Sequence, residues 1–302
     1  MLNSHLTQID ASRHLLIAGP TASGKSALAL AVAQAQSGLI VNADALQVWS
    51  CWRVLTARPS QADENIAPHT LYGHVTPDQS YSVGDWLRQV GELTGQRLII
   101  VGGTGLYLTA LTRGLAEIPA APPEIRATAD ARLRESGGLQ SMIDALDPAT
   151  RGNIDLQNPV RVQRAWEVLQ ATGRGIADWQ ADTPPPLIAP RDCQRIVITS
   201  DRDWLAKRIA RRFDIMLAEG ALEEVRAMLP HWDPARQWAK AIGAPELVAH
   251  LQGGPNLAQA TQLAVIASRQ YAKSQRIWFR NRMKDWDMWQ AGNDGLSPSK
   301  AL

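Results

Sequence analysis

The chain is short of cysteine, of long apolar runs and of net charge, and each shortage removes a class of protein. Cys51 and Cys193 are the only cysteines in 302 residues, too few for a disulfide framework or a thiolate metal site. A reducing compartment follows as the expectation. No stretch approaches the roughly 18 apolar residues that a membrane span needs. Met1 to Ser12 is polar and lacks the apolar segment of a secretory leader. A soluble, cytoplasmic protein with no membrane partner is therefore expected. Lys and Arg number 31 against 29 Asp and Glu, a net charge of +2, so the chain as a whole does not declare a polyanionic partner. There is no internal repeat. Only two Phe and four Tyr accompany 11 Trp, and most of the tryptophans are expected in the core.

What is present starts with Gly19-Pro-Thr-Ala-Ser-Gly-Lys-Ser26, a complete G-x-x-x-x-G-K-[ST] phosphate loop. An apolar strand, His14–Ala18, precedes it and an Ala- and Leu-rich helix follows. In that setting consecutive backbone N–H groups wrap an oxyanion at a helix N-terminus. Gly19 and Gly24 leave room for the tight loop. Thr21, Ala22 and Ser23 complete the cradle. Lys25 reaches a terminal phosphate, and Ser26 is the candidate ligand for Mg²⁺. The loop alone does not distinguish ATP from another phosphorylated ligand.

Three further short apolar runs, Gly38–Asn42, Arg97–Val101 and Arg195–Thr199, read as buried parallel strands. Helical patterns lie between the earlier ones. The β-α-β order predicts an α/β fold, a P-loop NTPase-like parallel sheet with helices on both faces, whose ligands collect at the carboxyl ends of the strands. Asp44 and the cluster Gly102-Gly103-Thr104-Gly105 sit at such ends. Asp44 there can hold Mg²⁺, accept a proton or cap a turn, and the glycine cluster suggests a second anion nest. Arg208, Arg211 and Arg212, after the fourth strand, can cover a diphosphate.

Proline-rich breaks at 118–123 and 183–186 bracket a stretch with helical patterns and no strand signal. The expected organisation is residues 12–117 as the first part of the P-loop core and 118–186 as a mostly helical inserted domain. Residues 187–290 complete the core and supply C-terminal helices, and 291–302 form a disordered tail. Helical stretches are expected at Trp204–Leu229 and at Leu257–Lys284, the second as one long helix or a bent pair of helices. Arg269, Lys273, Arg276 and Arg280 fall at spacings of four, three and four, on one helical face. Beside a phosphate-binding core this stripe reads as a nucleic-acid footprint rather than a solvated face.

Taken together the motifs resemble the bacterial-type tRNA dimethylallyltransferases, also called tRNA isopentenyltransferases. The resemblance covers roughly residues 14–283. It rests on the phosphate loop, on Asn42-Ala-Asp-Ala-Leu-Gln-Val-Trp49, on Thr56-Ala-Arg-Pro59 and on Val101-Gly-Gly-Thr-Gly-Leu-Tyr107. It rests also on Asn158-Pro-Val-Arg-Val-Gln-Arg-Ala165, on Arg212 with Met216, Gly220 and Glu224, and on Arg269-Gln-Tyr-Ala-Lys273 with Trp278-Phe-Arg280. The chain departs from the usual family pattern at Ala45, Trp49, Leu156 and Ala244.

The resemblance implies transfer of the dimethylallyl group of dimethylallyl diphosphate to N6 of adenosine 37, next to the anticodon, with Mg²⁺ accompanying the diphosphate. Lys25, the loop amides, Ser26, Thr104 and Arg212 then attend the leaving group, and Asp44 accepts the amine proton. Ala45, Leu46 and Gln47 frame the flipped base. Arg126, Val160, Arg161, Val162, Gln163 and Arg164 of the insertion grip the anticodon stem-loop together with Arg269, Lys273, Arg276 and Arg280. No obligate protein partner is implied, and a monomer is expected. Two other readings of the same loop are a P-loop kinase of a nucleoside or small metabolite and a non-catalytic RNA-binding ATPase.

Overall fold

The computed structural model describes residues 6–293 and 295–298. The chain forms two compact units, one of Met1–Thr112 with Ile188–Leu302 and one of Arg113–Leu187.

In chain order the elements begin with β1 (His14–Ala18), α1 (Lys25–Gln36), β2 (Leu39–Asn42), α2 (Gln61–Ile66) and β3 (His69–Thr70). They continue with α3 (Val83–Gly91), β4 (Leu98–Gly102), α4 (Gly105–Arg113), α5 (Pro123–Arg134), α6 (Gly138–Ala145) and α7 (Pro148–Asn153). Next are α8 (Pro159–Thr172), α9 (Ile176–Ala181), β5 (Cys193–Ser200), α10 (Arg202–Ala218) and α11 (Ala221–Met228). The last are α12 (Ala244–Leu251), α13 (Leu257–Arg282), β6 (Asp287–Gly292) and β7 (Gly295–Pro298).

The strands make one sheet in the order β3-β2-β4-β1-β5-β6-β7. All neighbours pair in parallel except β6 with β7. Because successive side chains of a strand point to opposite faces, β1 feeds two cores. Leu16 and Ala18 join Val41, Ile100, Trp86 and Phe213 on one face. Leu15 and Ile17 join Leu28, Val32, Ile40 and Ile99 on the other. The apolar runs carry no polar face because both sides are covered. The tryptophans Trp49, Trp52, Trp86 and Trp238 are buried. Three of them find carbonyls for their indole N–H: Trp86 donates to Asn42 O at 2.6 Å, Trp52 to Trp238 O and Trp238 to Pro77 O.

The second unit is helical, α5 to α9. Its core is Ala129, Met142, Leu146, Val162, Ala165 and Trp166. Asn158 caps α8 by accepting the Arg161 N–H, with Pro159 just inside the first turn.

The C-terminal segment differs from the sequence expectation. Residues 291–302 were expected to form a disordered tail, yet Ala291 and Gly292 close β6 and Gly295–Pro298 form β7. The physical reason is burial: Trp289, Ala291 and Leu296 complete the apolar layer over β1 and α1. Asp294 and Ser299–Leu302 lie outside the described residues. The stretch expected as one helix over Trp204–Leu229 is two. Gly220, at φ 105°, takes the left-handed conformation that ends α10 and opens α11. Leu257–Arg282 is a single helix.

Candidate active site

Four adjacent strands deliver the site. With β4 between β2 and β1, and β5 beyond β1, their carboxyl ends bring together the phosphate loop, Asp44, the Gly102–Gly105 turn and α10. Asp201 caps α10 by accepting the Asp203 and Trp204 N–H groups, which fixes where its arginines emerge.

The phosphate loop has nest geometry. Ala22 and Gly24 take left-handed φ values of 61° and 93°, so successive N–H groups turn toward one point. Lys25 donates weakly to Pro20 O at 3.4 Å. Lys25, Thr21, Ser26, Asp44 and Arg212 line one pocket, whose remaining wall is largely apolar: Leu46, Leu55, Ile209, Phe213, Met216 and Ile242. Burial pulls the Lys25 ammonium down to about 8, an effect that Asp44 opposes and Arg212 reinforces. Arg212 is lowered by burial too, again opposed by Asp44, and it stays cationic at any working pH. Its guanidinium lies 3.5 Å from both the Thr21 hydroxyl and Thr56 O. Two cations thus share one carboxylate, leaving an excess of positive charge for an anionic ligand. Arg208, Arg211 and Arg212 line a recess with Ala22–Ala27 on the loop. Arg208 donates to Ala22 O at 2.9 Å and stacks over Trp204.

The Asp44 turn is held from within. Asn42 Oδ1 accepts the Asp44 N–H and Asn42 Nδ2 donates to Asp44 O. Asp44 Oδ1 accepts the Leu46 N–H at 3.0 Å, which aims the other carboxylate oxygen. On the far side, the Glu224 carboxylate accepts three consecutive N–H groups, of Arg53, Val54 and Leu55. That fixes the segment that supplies Leu55 and Thr56 to the pocket.

Most of the other residues singled out from the sequence lie on the β4 turn, in the helical unit and along α13. Thr104 is at the turn after β4, where its hydroxyl accepts the Ala45 N–H at 2.9 Å and its own N–H goes to Ala43 O. The Gly102–Gly105 turn is therefore a brace on the Asp44 segment, and its Thr104 N–H is committed to Ala43 O. Gln47 lines the pocket, but its amide N–H groups are committed to Thr56 O and Ala57 O, so only its oxygen is open to a ligand. In the helical unit, Val162 is fully buried in the core. It is corrected from a surface-contact residue to a packing residue. Val160 is 75% exposed in the first turn of α8 and Arg126 is exposed on α5. Gln163 donates to Asp130 and Glu167; Arg164 lies 3.8 Å from Glu167 and Arg161 4.0 Å from Asp155. On α13, Arg269, Lys273 and Arg280 are exposed and Arg276 is half-buried.

Two residues were missed. Tyr271 lines the pocket, and its hydroxyl is hydrogen-bonded with the side chains of Thr104 and Gln275, with burial and then Asp44 raising its pKa. Gln275 is 5% exposed on the inner face of α13. The signal was their i, i+4 spacing on the face turned away from the four cations.

The family model for IPP transferase matches residues 47–282. The tRNA dimethylallyltransferase of Paracoccus denitrificans is 66% identical over 288 residues, 93% of this chain and 95% of that protein. That of Dinoroseobacter shibae is 61% identical over 284 residues, 93% of this chain and 96% of that protein. Among solved structures, the tRNA isopentenylpyrophosphate transferase of Bacillus halodurans superposes with a TM-score of 0.64 at 30% identity, covering 92% of this chain and 90% of that one. A eukaryotic dimethylallyltransferase acting on tRNA superposes at 0.78 with 22% identity, covering 93% of this chain and 74% of that one, a likeness of fold. The chain belongs to the tRNA dimethylallyltransferase (IPP transferase) family.

Proposed function

We infer that this chain transfers the dimethylallyl group of dimethylallyl diphosphate to N6 of adenosine 37 in tRNA, releasing diphosphate. The observation that carries the donor assignment is the composition of one pocket. Lys25, Arg212 and the phosphate loop stand at its polar part, and Leu46, Leu55, Phe213, Met216 and Ile242 form its apolar wall. A short branched hydrocarbon on a diphosphate needs both. The relatives of this chain, tRNA dimethylallyltransferases matched over most of its length, argue against the kinase and ATPase readings.

The reaction forms a bond from N6 to the allylic carbon and breaks that carbon's bond to oxygen, and the electron pair leaves with the diphosphate. Lys25, Arg212 and the loop amides stabilise the charge that grows on the leaving oxygens. The amine sheds a proton as it attacks. Asp44 supports the role of acceptor because it lines the same pocket and its Oδ1 is already tied to Leu46 N–H. In this reading Gln47 Oε1, the part of its amide left open, accepts from the adenine amine, and Ala45, whose N–H is braced by Thr104, helps frame the base.

Mg²⁺ fits the donor set. Ser26 is a hard oxygen donor on the pocket. Among the described residues no group of three His, Cys, Asp or Glu side chains stands together. Such a sparse set suits an ion that keeps its waters and takes phosphate oxygens. When bound it supplies countercharge to the diphosphate. The anticodon arm is assigned to the α13 cations and to Arg126, Val160, Arg161 and Arg164, each surface contributing phosphate contacts that position rather than read. No described helix is long and apolar enough to cross a membrane; a cytoplasmic monomer is the proposed state. Nucleoside analysis of tRNA from cells with and without the gene tests the reading. N6-isopentenyladenosine at position 37 should vanish with the gene, and its persistence would refute the assignment.

A further inference from the structure

The buried face of α13 is nearly all small or apolar: Ala260, Ala264, Ala272 and Phe279. Gln275 is the one polar side chain buried with them. Both ends of its amide are used, and on different loops. Oε1 accepts the Thr21 N–H of the phosphate loop at 3.0 Å. Nε2 donates to Gly103 O of the turn that braces Asp44 at 2.9 Å. The fit is close: a Cβ on Gly103 would lie 2.2 Å from Gln275 Nε2 and 3.4 Å from Asp44 Oδ2.

We propose that Gln275 is a positioning residue that fixes the distance between the diphosphate cradle and the carboxylate side of the site. The proposal rests on the transferase reading above. Thr21 and Gly103 belong to loops after different strands, β1 and β4, and each loop carries one half of the reaction. The phosphate loop holds the leaving group; the turn after β4 holds Ala45 through Thr104 and so sets the Asp44 segment. Attack in line with departure demands that the two halves keep register within a fraction of an ångström. A buried amide with both functions satisfied is a rigid spacer, because breaking either bond leaves a polar group unpaired. Two residues before it on the same helix, Lys273 is exposed. The outer face that is assigned to RNA and the inner face that spans the two loops are therefore one rigid element.

The side chain touches no reacting atom, so its loss should act on turnover and donor binding and spare RNA affinity. For Gln275→Met, kcat should fall about 30- to 100-fold. KM for dimethylallyl diphosphate should rise, while KM for an anticodon stem-loop stays within about twofold. Gln275→Glu supplies a second measurement. Its carboxylate still accepts the Thr21 N–H but repels Gly103 O. Its neutral acid form accepts and donates as the amide does. Burial favours the acid form, so the activity of Gln275→Glu relative to wild type should climb as the pH is lowered from 9 to 6, a range of about three units over which a purely structural defect stays constant. Wild-type transfer is assayed in parallel, so failure of the transferase reading shows itself separately. A kcat for Gln275→Met within about twofold of wild type overturns the proposal. If that variant does not fold, a flat activity ratio for Gln275→Glu across the same range does so.

Discussion

The Arg53 N–H donates to Glu224 Oε1 at 2.8 Å across 171 residues of chain, joining the loop before α2 to α11. The same carboxylate accepts Val54 and Leu55. Three parallel N–H groups converge on one charged side chain, as at an anion nest, so a single residue holds the 53–56 segment against the pocket. Glu224→Ala removes charge-assisted bonds to three donors at once, and a loss of about 2–4 kcal/mol in stability is expected. Chemical denaturation measures it. Glu224→Gln, which keeps an acceptor but not the charge, should recover part of the loss. A change below about 0.5 kcal/mol for Glu224→Ala would mean that water replaces the carboxylate without cost.

Donor binding should depend on pH through Lys25. Burial holds its pKa at about 8, and an anionic ligand favours the ammonium. As pH rises through 8 the free enzyme loses the proton that the complex needs. Affinity for diphosphate should be level below that point and weaken above it, approaching tenfold per pH unit. Calorimetry in two buffers of different ionisation enthalpy should show proton uptake near pH 9 and none near pH 6.5. Lys25→Met should bind weakly and without this pH dependence. Uptake that survives in Lys25→Met assigns the proton to another group.

Asp44→Asn retains the Oδ1 that accepts the Leu46 N–H and so preserves the turn while deleting the base. Turnover should drop about 10²- to 10⁴-fold, with RNA affinity unchanged. Single-turnover transfer at saturating tRNA is the measurement. Near-normal turnover would leave Asp44 as the countercharge to Lys25 and Arg212.

At the opposite ends of the strands, His14 Nδ1 accepts the Leu98 N–H at 3.1 Å, so the folded protein needs this nitrogen unprotonated. Burial lowers the His14 pKa below its ordinary value of 6.5; Asp192 opposes and Arg97 adds to the shift. The unfolded chain therefore binds the proton more readily. This contribution to stability is intact above pH 6.5 and declines as the pH falls below it. In melting curves between pH 7.5 and 5, His14→Gln should lose less stability than wild type. Parallel losses in the two proteins would clear His14 of the effect.

The sheet and the shape of the Gly19–Ser26 loop were legible because they rest on local pattern. Leu15, Leu16 and Ile17 are apolar on both faces of a covered strand, and the loop turns at Gly24, a glycine with the left-handed φ the turn needs. The edge of the sheet was not. In β6 only Trp289 and Ala291 face the core, too brief an alternation to outweigh the polar residues around it. β3 is two residues long. Within the site, Lys25, Asp44 and Arg212 converge as expected. The commitment of the Gln47 amide donors to Thr56 O and Ala57 O was not legible. Gln275 was passed over for the same reason: an amide's role is set by which carbonyls the fold places beside it, and its type and spacing do not record that.

The two basic surfaces should respond differently to loss of charge. On α13, Lys273 and Arg280 are exposed, and no salt bridge engages them among the described residues. Their counterions are free to be released when RNA binds. On α8, Arg164 already stands 3.8 Å from Glu167, whose side chain is only 7% exposed, so part of its charge is answered at home. Removing it also strips a partner from a nearly buried carboxylate. Lys273→Ala should therefore lower the slope of log affinity against log salt, for an anticodon stem-loop, by somewhat under one unit. It should weaken all competent tRNAs alike and leave protein stability near wild type. Arg164→Ala should change the slope less and lower the melting temperature more. Base choice should persist in both, because phosphate contacts carry no sequence information. Filter binding across a salt series, with melting curves of the same proteins, separates the two cases. Equal slopes in wild type and Lys273→Ala would place the RNA off the α13 face, and the four-cation stripe would then serve solubility alone.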